Sequence, residues 1–98
     1  MSEKILQQYI CKKLRDSGIL VFKFSSPSQR GVPDLICINQ IGDTFYIEVK
    51  HPNKRGRLST LQEITIRKMR ERGARVYVCD SKEHAKELEI IESHGGPA

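Results

Sequence analysis

The sequence predicts one α/β domain, in which helices flank a small mixed four-stranded sheet in the order αβββαβα. A chain of 98 residues holds one hydrophobic core and is too short for a second. Three stretches with apolar residues at helical spacing are interspersed with four short runs rich in β-branched and aromatic residues. We therefore expect a single domain over residues 1–98, with a frayed tail at about 94–98.

A serine precedes each predicted helix, where its hydroxyl can accept a hydrogen bond from the first turn. The first helix follows Ser2 and ends near residue 17, the second follows Ser59 and ends before residue 73, and the third follows Ser81 and ends near residue 93. Ser59 and Gln62 also fit the capping-box pattern, in which the third helical side chain reaches back to the cap. These signals define three helices with clear starting points.

The four strands are predicted at residues 20–24, 34–39, 44–50 and 75–79. A short turn containing Gly42 joins the second strand to the third, which predicts an antiparallel hairpin. The fourth strand is reached through a helix, so it should run parallel to a neighbour. The sheet is therefore expected to be mixed.

The charge balance favours a polyanionic partner. Lysine and arginine number 17 against 12 acids, which gives a formal charge of +5, and the bases crowd residues 50–57 and 67–75. No apolar run is long enough to span a membrane, and the N-terminus lacks the apolar core of a signal peptide. The three cysteines, Cys11, Cys37 and Cys79, have neither disulfide nor zinc-finger spacing, and we expect buried thiols in a cytoplasmic protein.

A group of charged residues meets at one end of the predicted hairpin. Glu48 and Lys50 are two apart on one strand and so share a face, while Asp34 opens the neighbouring antiparallel strand near the same end. Two carboxylates and a backbone carbonyl, that of Val49, suit Mg²⁺. Lys50 would position a water or stabilise charge on a phosphate, which indicates metal-assisted phosphodiester hydrolysis. The alternative is that Asp34 caps a turn while Glu48 and Lys50 form a surface ion pair.

These residues carry a resemblance to a known family. The motifs are similar to those of the virus-type replication-repair nuclease (VRR-NUC) branch of the PD-(D/E)xK nuclease superfamily, over residues 3–81: Gly31-Val32-Pro33-Asp34, Ile47-Glu48-Val49-Lys50, and Gly56-Arg57-Leu58-Ser59 followed by Gln62. The resemblance implies a restriction-endonuclease-like core. It also implies that Asp34 and Glu48 bind a divalent metal, Mg²⁺ or Mn²⁺, and that Lys50 is the catalytic lysine.

Further roles follow from the resemblance for Glu3 and Gln62, as a helix-one glutamate and a glutamine that complete the site. Each has a second explanation, since Glu3 lies in a first helical turn, where an acid is favoured anyway, and Gln62 belongs to a capping box. Phosphate contacts are expected from the basic residues near the site, with His51 either a DNA contact or a bystander. These residues are Arg30, His51, Lys54, Arg55 and Arg57.

The predicted function is a metal-dependent, structure-selective DNA endonuclease that acts on branched DNA such as four-way junctions. The sequence offers no zinc finger, helix-turn-helix or aromatic platform for reading bases. A non-catalytic nucleic-acid-binding module and a sequence-specific restriction-type endonuclease are the alternatives. The resemblance also implies a homodimer, because cutting both strands requires two active sites.

Overall fold

The computed structural model describes residues 1–26, 28–52 and 57–93. The predicted order αβββαβα is confirmed. The elements are α1 (Glu3–Asp16), β1 (Leu20–Lys23), β2 (Leu35–Ile38), β3 (Thr44–Val49), α2 (Thr60–Glu71), β4 (Arg75–Cys79) and α3 (Lys82–Ser93).

The four strands form one mixed sheet in the order β1-β2-β3-β4. Strand β2 is antiparallel to both β1 and β3, and β4 runs parallel to a neighbour, β3, as predicted. Strands β1, β2 and β3 are each slightly shorter than the sequence indicated, because only single hydrogen bonds continue past their ends. The Phe24 amide donates to the Asp34 carbonyl over 2.7 Å, and the Lys50 amide donates to the Cys79 carbonyl over 2.9 Å.

Helices α1 and α3 cover one face of the sheet and enclose the core. Side chains at alternate positions of β3, namely Phe45, Ile47 and Val49, point to this face and are fully buried. The three cysteines are free and buried there, as expected. The helical part of the core consists of Leu6, Ile10, Cys11, Leu14, Ala85 and Leu88.

Helix α2 packs on the opposite face, against β4. Arg70 near its C-terminus donates two hydrogen bonds to the Val76 carbonyl, at 3.2 and 2.6 Å. The alternation of β3 directs Glu48 to this face, away from Ile47 and Val49. The start of α2 therefore lies near the end of β3 that carries Glu48.

Each predicted serine cap is confirmed. Ser2 accepts a hydrogen bond from the Ile5 amide at 3.0 Å, and Ser81 accepts one from the His84 amide at 3.0 Å. At Ser59 both halves of the capping box are present. The tail 94–98, where fraying was predicted, lies outside the described residues.

A buried acid, Glu92, fastens the end of α3 to the sheet. Its side chain is 2% exposed and accepts hydrogen bonds from Asn39 at 3.2 Å, from Arg75 at 2.8 and 3.0 Å, and from the Tyr77 hydroxyl at 2.6 Å. Burial alone would raise the pKa of Glu92, but these hydrogen bonds outweigh it and the pKa is lowered. This charged network is internally satisfied and stabilises the fold.

Candidate active site

Three of the predicted residues form a closed set of contacts at the end of β3. Lys50 Nζ lies 3.4 Å from Glu48 Oε2 and donates to Gln62 Oε1 over 2.6 Å. Gln62 Nε2 in turn donates to Glu48 Oε2 over 2.9 Å. A carboxylate, an ammonium group and an amide thus contact one another in a single triangle.

The Gln62 side chain takes part in the capping box of α2 and in the contacts with Lys50 and Glu48 at the same time. Its Oε1 atom accepts a hydrogen bond from the Ser59 amide at 2.9 Å, as a capping box requires, and also accepts the one from Lys50. The Ser59 hydroxyl accepts from the Gln62 amide at 3.1 Å. The N-terminal turn of α2 is therefore built into the site rather than lying beside it.

Asp34 lies one residue before β2, on the strand next to β3. Its Oδ2 atom accepts a hydrogen bond from the Val49 amide at 2.8 Å. Because Val49 stands between Glu48 and Lys50 in β3, this bond holds the Asp34 carboxylate beside both of them. The hairpin thus brings together the three charges that the sequence pattern placed at its end.

Gly31 explains how the loop before Asp34 approaches α2 so closely. Its φ angle is +87°, and a Cβ atom at this position would lie 2.8 Å from Thr65 Oγ1 and 2.9 Å from the Leu61 carbonyl oxygen. Only glycine combines this backbone conformation with the space available. The loop that carries Asp34 and the helix that carries Gln62 are consequently packed backbone to backbone.

The carboxylates of Asp34 and Glu48 are held in an environment that disfavours two negative charges. Burial, together with the charge of Asp34, raises the pKa of Glu48 to about 7, although Lys50 opposes the shift. Burial also raises the pKa of Asp34, with a smaller contribution from Glu3, while the Val49 amide and Lys50 lower it. A cation placed between the two acids would relieve this repulsion.

Comparison with known protein families finds a match that covers these site residues. The sequence profile described as the VRR-NUC domain matches residues 2–83, which is most of the chain and includes all the residues of the site described above. The chain belongs to the VRR-NUC family. A relative from Acyrthosiphon pisum secondary endosymbiont phage 1, named "Putative nuclease p44", is 28% identical over 89 residues, covering 91% of this chain and 94% of that protein.

The fold agrees with this VRR-NUC assignment. A solved structure titled as a VRR_NUC domain superimposes with a TM-score of 0.80 at 31% sequence identity. The match covers 88% of this chain and 91% of the solved chain. The mixed four-stranded sheet with three flanking helices is therefore the family fold.

The donor atoms of this VRR-NUC chain fit a divalent cation. Glu48 Oε2 is occupied by Gln62 and Lys50, whereas Glu48 Oε1 is buried and has no hydrogen-bond partner among the described residues. A buried carboxylate oxygen without a partner is costly, and a metal ion would satisfy it. Within residues 1–26, 28–52 and 57–93, no three His, Cys, Asp or Glu side chains form a metal-binding group, so the acids available are the pair Asp34 and Glu48.

The remaining predicted residues of the VRR-NUC site are less closely gathered. Glu3 is exposed at the start of α1, and its negative charge contributes to the raised pKa of both Asp34 and Glu48. Arg30 and Arg57 are exposed, and His51 is half-buried directly after Lys50. Lys54 and Arg55 lie outside the described residues, so their predicted DNA contacts have no structural counterpart here.

Two features of the site were not foreseen from the sequence. The Val49 amide was not identified as the group that holds Asp34, because a backbone donor leaves no mark in a sequence. The packing of Gly31 on Leu61 and Thr65 was also missed, although a glycine directly before the Val-Pro-Asp segment was a usable signal.

Proposed function

We propose that this VRR-NUC domain is a divalent-metal-dependent endonuclease that hydrolyses phosphodiester bonds in DNA, with branched DNA such as four-way junctions as its substrate. The observation that carries the proposal is the pairing of the buried Glu48 carboxylate with the half-buried Asp34 carboxylate beside a lysine, where Glu48 Oε1 has no hydrogen-bond partner in the part of the chain that the structure describes. Family membership supports the nuclease chemistry. The cellular compartment proposed is the cytoplasm of a bacterial or phage-infected cell.

Asp34, Glu48 and the Val49 carbonyl would hold the metal, with Glu3 as a further acid near it. Mg²⁺ or Mn²⁺ bound there would polarise the scissile phosphate and lower the pKa of a bound water. Asp34 is kept in place by the Val49 amide, and Glu48 by Gln62. The protein thus provides fixed carboxylates rather than mobile ones.

Lys50 is the residue proposed to act on the reacting phosphate. Its ammonium group is held on one side by Gln62 Oε1 and Glu48 Oε2, and its remaining hydrogen-bonding capacity can be directed to a water or to phosphoryl oxygens. A preorganised cation of this kind stabilises the negative charge that develops during phosphoryl transfer. Gln62 therefore assists by orienting Lys50.

DNA binding is proposed through the phosphate backbone. Arg57 and Arg30 are exposed in the segments that precede α2 and β2, and His51, Lys54 and Arg55 belong to the same basic stretch of sequence. Contacts to phosphates position a duplex without reading its sequence. Selectivity for DNA shape, rather than for sequence, follows from such contacts, and a homodimer would place two such sites on one branched substrate.

A substrate panel tests the proposal. Linear, flapped and four-way-junction DNA are incubated with the protein in Mg²⁺, in Mn²⁺ and in EDTA, and light scattering gives the oligomeric mass. We expect product from the junction in either metal, none in EDTA, and the mass of a dimer. Binding without product on all substrates would favour the non-catalytic module, undiminished cleavage in EDTA would exclude the metal mechanism, and a monomeric mass would exclude the dimer.

A further inference from the structure

We propose that Ser59 is a positioning residue of the site, because its capping box fixes the direction in which the Gln62 amide faces Lys50 and Glu48. This inference rests on the proposed nuclease function for its catalytic consequence. Its structural part concerns only contacts within the protein. A helix cap ordinarily stabilises the first turn of its helix. Here the cap would also arrange the groups around the Glu48 carboxylate.

The Gln62 amide is held in one orientation by three neighbours. Its oxygen accepts from two donors, the Ser59 amide at 2.9 Å and Lys50 Nζ at 2.6 Å, and its nitrogen donates to Glu48 Oε2 at 2.9 Å. Rotation of the amide by 180° would face its NH₂ group with two donors and its oxygen with a carboxylate. Each neighbour therefore favours the same orientation.

Ser59 holds Gln62 at two points. Its hydroxyl accepts from the Gln62 backbone amide at 3.1 Å, and its own amide donates to the Gln62 side chain. The Ser59 side chain is otherwise exposed, so replacement by alanine removes the cap without opening a cavity. The cap thereby determines both where the first turn of α2 lies and where its third residue points.

The arrangement also decides which Glu48 oxygen is open. Gln62 and Lys50 both contact Oε2, and Oε1 is buried without a hydrogen-bond partner within residues 1–26, 28–52 and 57–93. A looser first turn in α2 would release Gln62, so that the Lys50 ammonium would lose its hydrogen bond to Gln62 and Glu48 Oε2 would lose one of its two contacts. Ser59 consequently acts on the metal-facing atom through Gln62, without touching it.

The first test uses no cleavage. ¹⁵N NMR spectra of the metal-free protein are recorded for two groups. The protons of the Lys50 ammonium group exchange with water slowly enough to be seen only while they are protected by hydrogen bonds, and the chemical shift of the Gln62 side-chain amide reports the hydrogen bonds that this amide makes. We expect both signals, at the same positions, in the wild type and in Ser59→Thr, which keeps the hydroxyl. In Ser59→Ala the Lys50 signal should be lost and the Gln62 signal should shift. Ser81→Ala is the matched control, because it removes the same kind of cap from α3, and it should keep both signals.

The second test measures cleavage of junction DNA in Mg²⁺. Ser59→Ala should lower kcat about tenfold with little change in KM, since a small misplacement of reacting groups costs rate rather than binding. Ser59→Thr should restore kcat, and Ser81→Ala should leave it unchanged. If Ser59→Ala folds poorly, Ser59→Gly replaces it, because glycine is tolerated at a cap while lacking the hydroxyl.

Equal spectra for Ser59→Ala and Ser81→Ala would overturn the inference, as would equal kcat values in a protein that cuts DNA. A wild-type protein that shows the Lys50 and Gln62 signals but cuts no DNA would refute the proposed function alone. In that case the spectra of the Ser59 variants still decide whether the cap orients Gln62.

Discussion

Gln62 donates its side-chain amide to Glu48 Oε2 over 2.9 Å, although the two residues belong to α2 and β3 and are 14 positions apart. This contact connects the start of a helix to an acid that faces it from the sheet. The second Glu48 oxygen, Oε1, is buried and has no hydrogen-bond partner in the described part of the chain.

The stability of the metal-free protein should depend on the protonation of Glu48. Its folded-state pKa of about 7 lies above the ordinary value of 4.5, so the folded protein binds this proton more tightly than the unfolded chain does. The resulting stabilisation is fully present below pH 4.5 and is lost as the pH rises through about 7. The loss would reach up to about 3 kcal/mol.

Urea unfolding at pH 5 and pH 8 measures this dependence. Glu48→Gln should flatten it, whereas Glu63→Gln, which alters an exposed acid in the first turn of α2, should not. Mg²⁺ should raise Tm at pH 8 in the wild type and have little effect in Glu48→Gln, since a ligand stabilises only the state that binds it. A pH dependence that is identical in Glu48→Gln and the wild type would contradict the prediction.

The proposed catalytic groups can be removed with little change in shape. Asp34→Asn keeps an acceptor for the Val49 amide, Glu48→Gln keeps the size of the side chain, and Lys50→Met keeps its length. Each should lower junction cleavage at least about 100-fold, because each removes charge from the reacting centre. Junction binding in Ca²⁺, measured by gel shift, should persist, and Glu63→Gln should cut normally. Wild-type cleavage rates in any of the three variants would remove that residue from the mechanism.

A comparison of Gly31→Ala with Gly42→Ala should separate the cost in stability of steric crowding from that of backbone strain. Both Gly31 and Gly42 have a positive φ, at +87° and +88°, but a Cβ built at Gly42 meets no heavy atom of the described residues within 4 Å beyond its chain neighbours. Gly42→Ala should therefore cost about 1 kcal/mol, the strain of a left-handed backbone, and Gly31→Ala at least about 1 kcal/mol more. Chemical denaturation gives both free energies of unfolding. Equal losses would mean that the contact of the loop with Leu61 and Thr65 is not tight.

Arg57 should contribute a phosphate contact. Its removal in Arg57→Ala should reduce the magnitude of the slope of log Kd against log salt by about 0.9, the value for one neutralised phosphate. The matched control is Lys86→Ala, which removes an exposed charge from α3 on the other face of the sheet. Fluorescence anisotropy with labelled junction DNA measures both slopes. An unchanged slope in Arg57→Ala would place this arginine outside the DNA contact.

The sequence determined the local structure and the charges of this protein. Serine caps fixed the starts of the helices, the turn containing Gly42 fixed the hairpin, and two-residue spacing put Glu48 and Lys50 on one face. These features depend on neighbours a few positions away, which a sequence displays directly. They were sufficient to place Asp34 near the same end of the hairpin.

The tertiary structure decided how the charges are held. The pairing of Asp34 with the Val49 amide, the reach of Gln62 to Glu48 and the packing of Gly31 on α2 depend on how a helix and a loop settle on the sheet. Such contacts join distant positions and include backbone atoms, so spacing alone cannot specify them. The raised pKa of Glu48 has the same origin, because burial belongs to the packed molecule and not to the residue.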